Sequence, residues 1–247
     1  DMARIFNDGM ASFHEKSNGR FIPLAIIPPF GGKESLNELE RCRQMGFKGI
    51  QMSCHYGKLY LDDEAFAPLF EKANEYGMTI YAHHTPVPVD YSSLLAYNNL
   101  RRSIGRNEDQ LVAVCREMMS GMFEKYPDIR IVHSMLGGGL FTFLNQIAPA
   151  KAVTSDTVKR FDDVSDQIQK YMKNNLYLET SHSQPWGKDV LECAVKVYGS
   201  DHILYGSSYP VRMEWLMEGP SFVRNLDISD EDKENILYRN AEKIYSI

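Results

Sequence analysis

Short apolar runs alternate with stretches of helical periodicity along nearly the whole chain. The runs "FIPLAII" (21–27), "GIQMS" (49–53), "TIYAH" (79–83), "IRIVHS" (129–134), "LYLETS" (176–181) and "HILYGS" (202–207) have the length and composition of buried strands. Between them apolar residues recur every three or four positions. One set is Leu36, Leu39, Cys42 and Met45, and the next is Ala65, Phe66, Leu69, Phe70 and Ala73. Later sets are Leu111, Val114, Cys115, Met118 and Met122, then Val158, Phe161, Ile168 and Met172. Gly46 and Gly77 follow the first two helices as C-terminal stops. Ser229 with Asp232 opens a last helix that runs to the C-terminus through Ile236, Leu237, Ala241 and Ile244. Six strand–helix units predict a parallel α/β sheet, and nothing in the chain divides residues 1–247 into more than one domain.

Residues 84–107 are the long gap in this alternation. Twenty-four residues between a strand and its helix exceeds the usual connection, and loops of that length are often lids or binding loops.

Composition narrows the picture further. With 247 residues, 43% of them hydrophobic, the chain can bury a large core. The net charge of -6 is spread as interspersed charges of both signs, so no basic stripe is available to follow a nucleic-acid backbone. No run of 18 apolar residues predicts a membrane span, and "DMARIFNDGM" lacks the basic-then-apolar order of a secretion signal. Cys42, Cys54, Cys115 and Cys193 form no CxxC pair, which suits a reducing, cytoplasmic setting. The oligomeric state stays open, a homo-oligomer included.

Of seven histidines, five sit at or just beyond a predicted strand's C-terminal end: His55, His83, His84, His133 and His182. In parallel α/β architectures that edge carries the chemistry, and imidazole serves there as metal ligand or general base. His14 and His202 lie elsewhere and read as structural. "HSMLGGGL" (133–140) places glycines before an apolar stretch, either as a tight turn or as an anion-binding helix start.

Five segments stand out in order: "LDDEAFAPLFEKANEYGMTIYAHH" (61–84), "YPDIRIVHSMLGGG" (126–139), "NNLYLETS" (174–181), "DHILYGSSYP" (201–210) and "NAEKIY" (240–245). Together they resemble the amidohydrolase-related branch of the amidohydrolase superfamily, which includes aminocarboxymuconate-semialdehyde and γ-resorcylate decarboxylases. The resemblance implies a TIM-barrel-like (β/α)8 fold of metal-dependent hydrolase type, with a divalent metal, often zinc, at the C-terminal ends of the strands. It implies a hydrolase or decarboxylase acting on a small anionic carboxylate. His83 matches the family's metal-ligand histidine, His84 stands where proline is common, and His133 matches the histidine that polarises water or substrate.

Two departures follow from the same resemblance. The family's Gly-Ser-Asp-Tyr-Pro turn has Ser208 in place of the aspartate, and the family's first-strand His-x-His or Glu-x-His pair has no counterpart, as though the first two strands were missing. Serine neither balances a metal's charge nor takes a proton from bound water near pH 7, so metal binding is expected to be weak or absent. Three readings stand. One is an impaired metal-dependent enzyme. Another is a non-catalytic protein that binds a small carboxylate through Arg212 and the histidines, with Tyr209 or Trp215 giving apolar contact. The third is an active enzyme whose metal site draws on His55, His83, His133 and His182.

Overall fold

The computed structural model describes residues 2–30, 32–148 and 165–247. Six strands form the main sheet: β1 Leu24–Ile26, β2 Gly49–Ser53, β3 Thr79–His83, β4 Arg130–His133, β5 Leu176–Glu179 and β6 Ile203–Leu204. They lie side by side in chain order, every neighbouring pair parallel. Each falls within one of the predicted runs. The order and parallel pairing are those of the barrel-like α/β sheet expected, with β1 and β6 at the two ends of the pairing order among the described residues.

The main helices are α1 Met2–Lys16, α2 Gly32–Gln44, α3 Ala67–Tyr76, α4 Arg106–Met119, α5 Ser165–Asn174, α6 Lys188–Tyr198, α7 Met213–Arg224 and α8 Asn240–Tyr245. The periodicity predicted α2 to α5, with Val158 and Phe161 lying outside the described residues. It also predicted the helical run to the C-terminus: a capping box made by Ser229 and Asp232 opens a helical turn at Asp230–Glu234, which continues through Asn235–Arg239 into α8. Three helices were not predicted. α7 contains Gly219 and Pro220, both breakers in a local reading. α1 buries only Asn7. That side chain donates to Ile26 O at 3.0 Å and accepts from Ile26 N at 3.0 Å, so it pairs the free edge of β1 as a further strand would.

Side chains alternate across the sheet. One face, with Ala25, Ile50, Met52, Ile80, Ala82, Ile131, Leu178 and Ile203, packs into the main core. The other carries Tyr81, Val132, Tyr177 and Leu204, covered by Ala241, Ile244 and Tyr245 of α8. Thr79 Oγ1 donates to Ile244 O at 2.9 Å, which fixes α8 over the N-terminal half of this second face. The C-terminal half is left open, and a cavity forms there. No helix among the described residues is long and apolar enough to cross a membrane.

Candidate functional site

The cavity measures about 570 Å³, and its lining includes Gln51, Tyr81, His83, Glu179, Ser181, Gly206, Ser207, Ser208 and Tyr209. It therefore brings together three of the residues singled out by sequence: His83, Ser208 and Tyr209.

His83 is the last residue of β3. Its Nδ1 lies 2.6 Å from His84 O, which leaves Nε2 as the free ring nitrogen. Burial, opposed by that carbonyl and aided by the charge of Arg106, lowers its pKa and keeps the ring neutral at pH 7. Ser208 has φ +52°, a left-handed conformation in which aspartate and asparagine are enriched several-fold over most residues. The turn thus keeps a backbone suited to the aspartate that the resemblance led us to expect.

His133 does not join them. It pairs in register with Ala82, not with His83, and so belongs to the opposite face of the sheet. Its ring is fully buried against α4, with Nδ1 2.9 Å from Gln110 Oε1 and Nε2 2.8 Å from Glu117 Oε2. Gln110 is oriented by donating to Ala82 O and Ser134 Oγ, each at 3.0 Å. The structure thus does not bring His133 into the cavity where a catalytic role was expected of it: both ring nitrogens meet buried partners on α4.

His55 is also elsewhere. It stands with Cys54 and Asp109 in a buried cluster, the one group among the described residues where three side chains with ligand chemistry converge. His55 Nε2 lies 2.9 Å from Asp109 Oδ2 and 2.7 Å from Thr85 Oγ1, while its Nδ1 meets Gly57 O at 3.0 Å. Asp109 also accepts from Tyr60 OH at 2.8 Å and Val89 N at 3.3 Å. Burial opposes charge on both partners, yet their mutual hydrogen bond and attraction win: the pKa of His55 is raised and that of Asp109 lowered. The cluster is an ion-paired clasp. It ties Thr85 and Val89, at the start of the 84–107 connection, to α4. Among the described residues lining the cavity none comes from 84–107, so the connection does not cover the cavity as its length suggested.

His84, His182, Arg212 and Trp215 lie outside the cavity lining, the first three each directly following a lining residue in the chain. His84 stacks on His83 with ring centroids 4.0 Å apart. His182 stacks on Trp215 at 4.6 Å, and the Arg212 guanidinium lies 5.5 Å from the same indole. Arg106, which the sequence reading missed, acts on all three imidazoles. Burial is the first cause of their lowered pKa values, down to about 3 for His84, and the Arg106 charge adds to it each time. Arg106 Nε and His182 Nδ1 are buried without a hydrogen-bond partner among the described residues. Of the two, Arg106 Nε is always a donor, and an unpaired donor of this kind is what an anionic group would satisfy.

The glycines of "HSMLGGGL" have a packing role. Met135 to Gly139 all have positive φ, and a Cβ on Gly138 would lie 1.9 Å from Asn107 O. The turn lets α4 approach closely; it is not a helix start that offers amides to an anion.

Glu179 is the second missed residue. It ends β5 on the cavity face, 6% exposed, and accepts from Ser181 N at 2.6 Å, Ser181 Oγ at 3.1 Å and Tyr81 OH at 3.0 Å. Burial pushes its pKa up to about 7, against the pull of those hydrogen bonds. A strand-end glutamate within "LYLETS" was the available signal.

The donors of the cavity do not fit a complete metal site. A catalytic zinc site takes three protein ligands and an open position. Here His83 offers one nitrogen, both oxygens of Glu179 are already hydrogen-bonded, and Ser208 is neutral.

Comparison with known proteins agrees with this architecture. The 2-amino-3-carboxymuconate-6-semialdehyde decarboxylase of Dictyostelium discoideum is 24% identical over 245 residues, covering 98% of this chain and 65% of that protein. The γ-resorcylate decarboxylase of Polaromonas sp. strain JS666 is 27% identical over 259 residues, covering all of this chain and 77% of that protein. The chain thus spans about two thirds to three quarters of the length of these relatives. The crystal structure of a dihydroxybenzoic acid decarboxylase from Polaromonas sp. JS666, with bound manganese and the inhibitor 2-nitroresorcinol, superposes with a TM-score of 0.82. The two share 26% identity over 99% of this chain and 74% of that one. A sheet of this order with a site at its C-terminal edge, matched by the amidohydrolase family profile over residues 2–247, means that the chain belongs to the amidohydrolase family.

Proposed function

We propose that the chain is a non-oxidative decarboxylase of small hydroxylated aromatic carboxylates, slowed by Ser208. The observation that carries this reading is the convergence of His83, Glu179 and Ser208 on one cavity at the strand ends. The charge of Arg106, which acts on His83 in that cavity, gives a carboxylate substrate its attraction. The decarboxylases among the relatives supply the reaction class.

A divalent cation belongs to this proposal only as a weakly held partner, since the cavity lacks a three-ligand set. The manganese of the Polaromonas structure makes Mn²⁺ the first cation to test, ahead of the zinc that the sequence resemblance implied.

A second reading, a non-catalytic protein that binds small carboxylates, is favoured by the serine at position 208. The two part in one experiment. Wild type and Ser208→Asp are incubated with γ-resorcylate and related hydroxybenzoates, with and without Mn²⁺, and CO₂ release is followed. Slow release by the wild type, and faster release by the aspartate form, is the expected result. Binding without release in either form would establish the second reading.

A further inference from the structure

Glu179 is the one carboxyl group among the described residues lining the cavity. Its position is built into the fold. A Cβ on Gly206 would lie 1.1 Å from Glu179 Oε1, so the carboxyl head occupies the space a side chain at 206 would need. It rests against the turn that leads to Ser208, two residues on. All its hydrogen-bond donors are neutral, being two hydroxyls and one amide, and among the described residues it has no salt bridge.

The other cavity groups are poor acids at neutral pH. Burial raises the Tyr81 hydroxyl well above its ordinary value, helped by the Glu179 charge, and Tyr205 and Tyr245 are raised for the same reasons. His83, its pKa lowered by burial, is a neutral imidazole and a poor acid at pH 7. Ser208 has a hydroxyl alone.

We propose that Glu179 is the general acid of this cavity, delivering the proton that replaces the departing carboxylate on the substrate ring. The inference rests on the decarboxylase reading and names the group that performs its proton transfer. The Glu179 O–H bond breaks and its proton forms a C–H bond at the ring carbon bearing the carboxylate, using an electron pair that the neighbouring hydroxyl makes available. The carbon–carbon bond then breaks, its electron pair returns to the ring, and CO₂ leaves. Glu179, now a carboxylate held by Tyr81 and Ser181, regains a proton from water. The balance is one carboxylate plus one proton giving one arene and one CO₂. Burial, which holds the pKa of Glu179 near 7, suits a group that must both give and regain a proton. The protonated form is the active one, so the rate falls as pH rises through that value.

The test compares the full chain as wild type, Glu179→Gln, Glu179→Asp and Gly206→Ala, with γ-resorcylate as substrate and 2-nitroresorcinol as a binding probe. Glu179→Gln should lower kcat by roughly 10²–10⁴-fold, the usual loss when a positioned acid is removed. The alkaline limb of the rate profile should vanish with it, while 2-nitroresorcinol still binds. Gly206→Ala, which displaces the same carboxyl, should lose rate in parallel, and Glu179→Asp should retain the limb at lower rate. An infrared band of a protonated carboxyl that titrates near pH 7 in the wild type should be missing in Glu179→Gln. Wild-type turnover and an unchanged pH profile in Glu179→Gln would overturn the role of Glu179 and leave the decarboxylase reading standing. No CO₂ release by the wild type from any hydroxybenzoate would overturn both.

Discussion

His83 and His133 end neighbouring parallel strands, yet their side chains stand on opposite faces of the sheet, because His133 is registered with Ala82. One residue of register separates a ring lining the cavity from a ring locked between Gln110 and Glu117.

His133→Ala should therefore act on stability. It leaves the Glu117 carboxyl group, 0% exposed, without its hydrogen-bond partner, a loss of about 1–3 kcal/mol. Urea unfolding measures it, and 2-nitroresorcinol affinity of the folded fraction should not change. A variant of wild-type stability with lost binding would return His133 to the site.

The His55–Asp109 clasp gives stability a pH window. Asp109 is lowered from 3.8, so its contribution is present above that value and is lost as pH falls through the folded pKa. His55 is raised from 6.5, so its contribution is complete below 6.5 and is lost as pH rises through the folded pKa. Asp109→Asn should flatten both slopes and cost roughly 3–5 kcal/mol near pH 5. Proteolysis should become faster within 84–107, where Thr85 and Val89 lose their anchor.

Ser208→Asp should fold normally, because aspartate tolerates φ +52° at least as well as serine does. A second carboxylate facing the cavity should tighten Mn²⁺ about 10–100-fold, the scale on which supporting groups tune metal sites. Without metal it should raise the pKa of Glu179 further, since like charges disfavour joint ionisation. Calorimetric titration with Mn²⁺ reads the first effect, and the infrared carboxyl band the second. Unchanged Mn²⁺ affinity would mean that position 208 does not face the ion.

Gly138→Ala combines a strained φ of +68° with a Cβ placed 1.9 Å from Asn107 O. Overpacking and left-handed strain together should cost about 2–5 kcal/mol. Thermal unfolding would show a broken contact between this turn and α4, and a loss under 1 kcal/mol would mean that the turn relaxes freely.

Local pattern was enough for the strands, for the helices α2 to α5 and for the capped C-terminal helix, because strand runs and helical faces are written in residues close along the chain. It also placed His83 and Ser208 at one edge, since parallel strands all present their C-terminal ends to the same side. Only the tertiary structure decided which face each strand-end side chain occupies. Register depends on pairing between segments far apart in sequence, and a shift of one residue exchanges the two faces. The same holds for Glu179, whose carboxyl lies against Gly206 and Tyr81, 27 and 98 residues away, and whose pKa burial raises to about 7 against the hydrogen bond from Tyr81. It holds too for His55, whose partner Asp109 lies across the long connection. A side chain's type is fixed in the sequence, but its electrostatic environment is made by residues that folding brings to it.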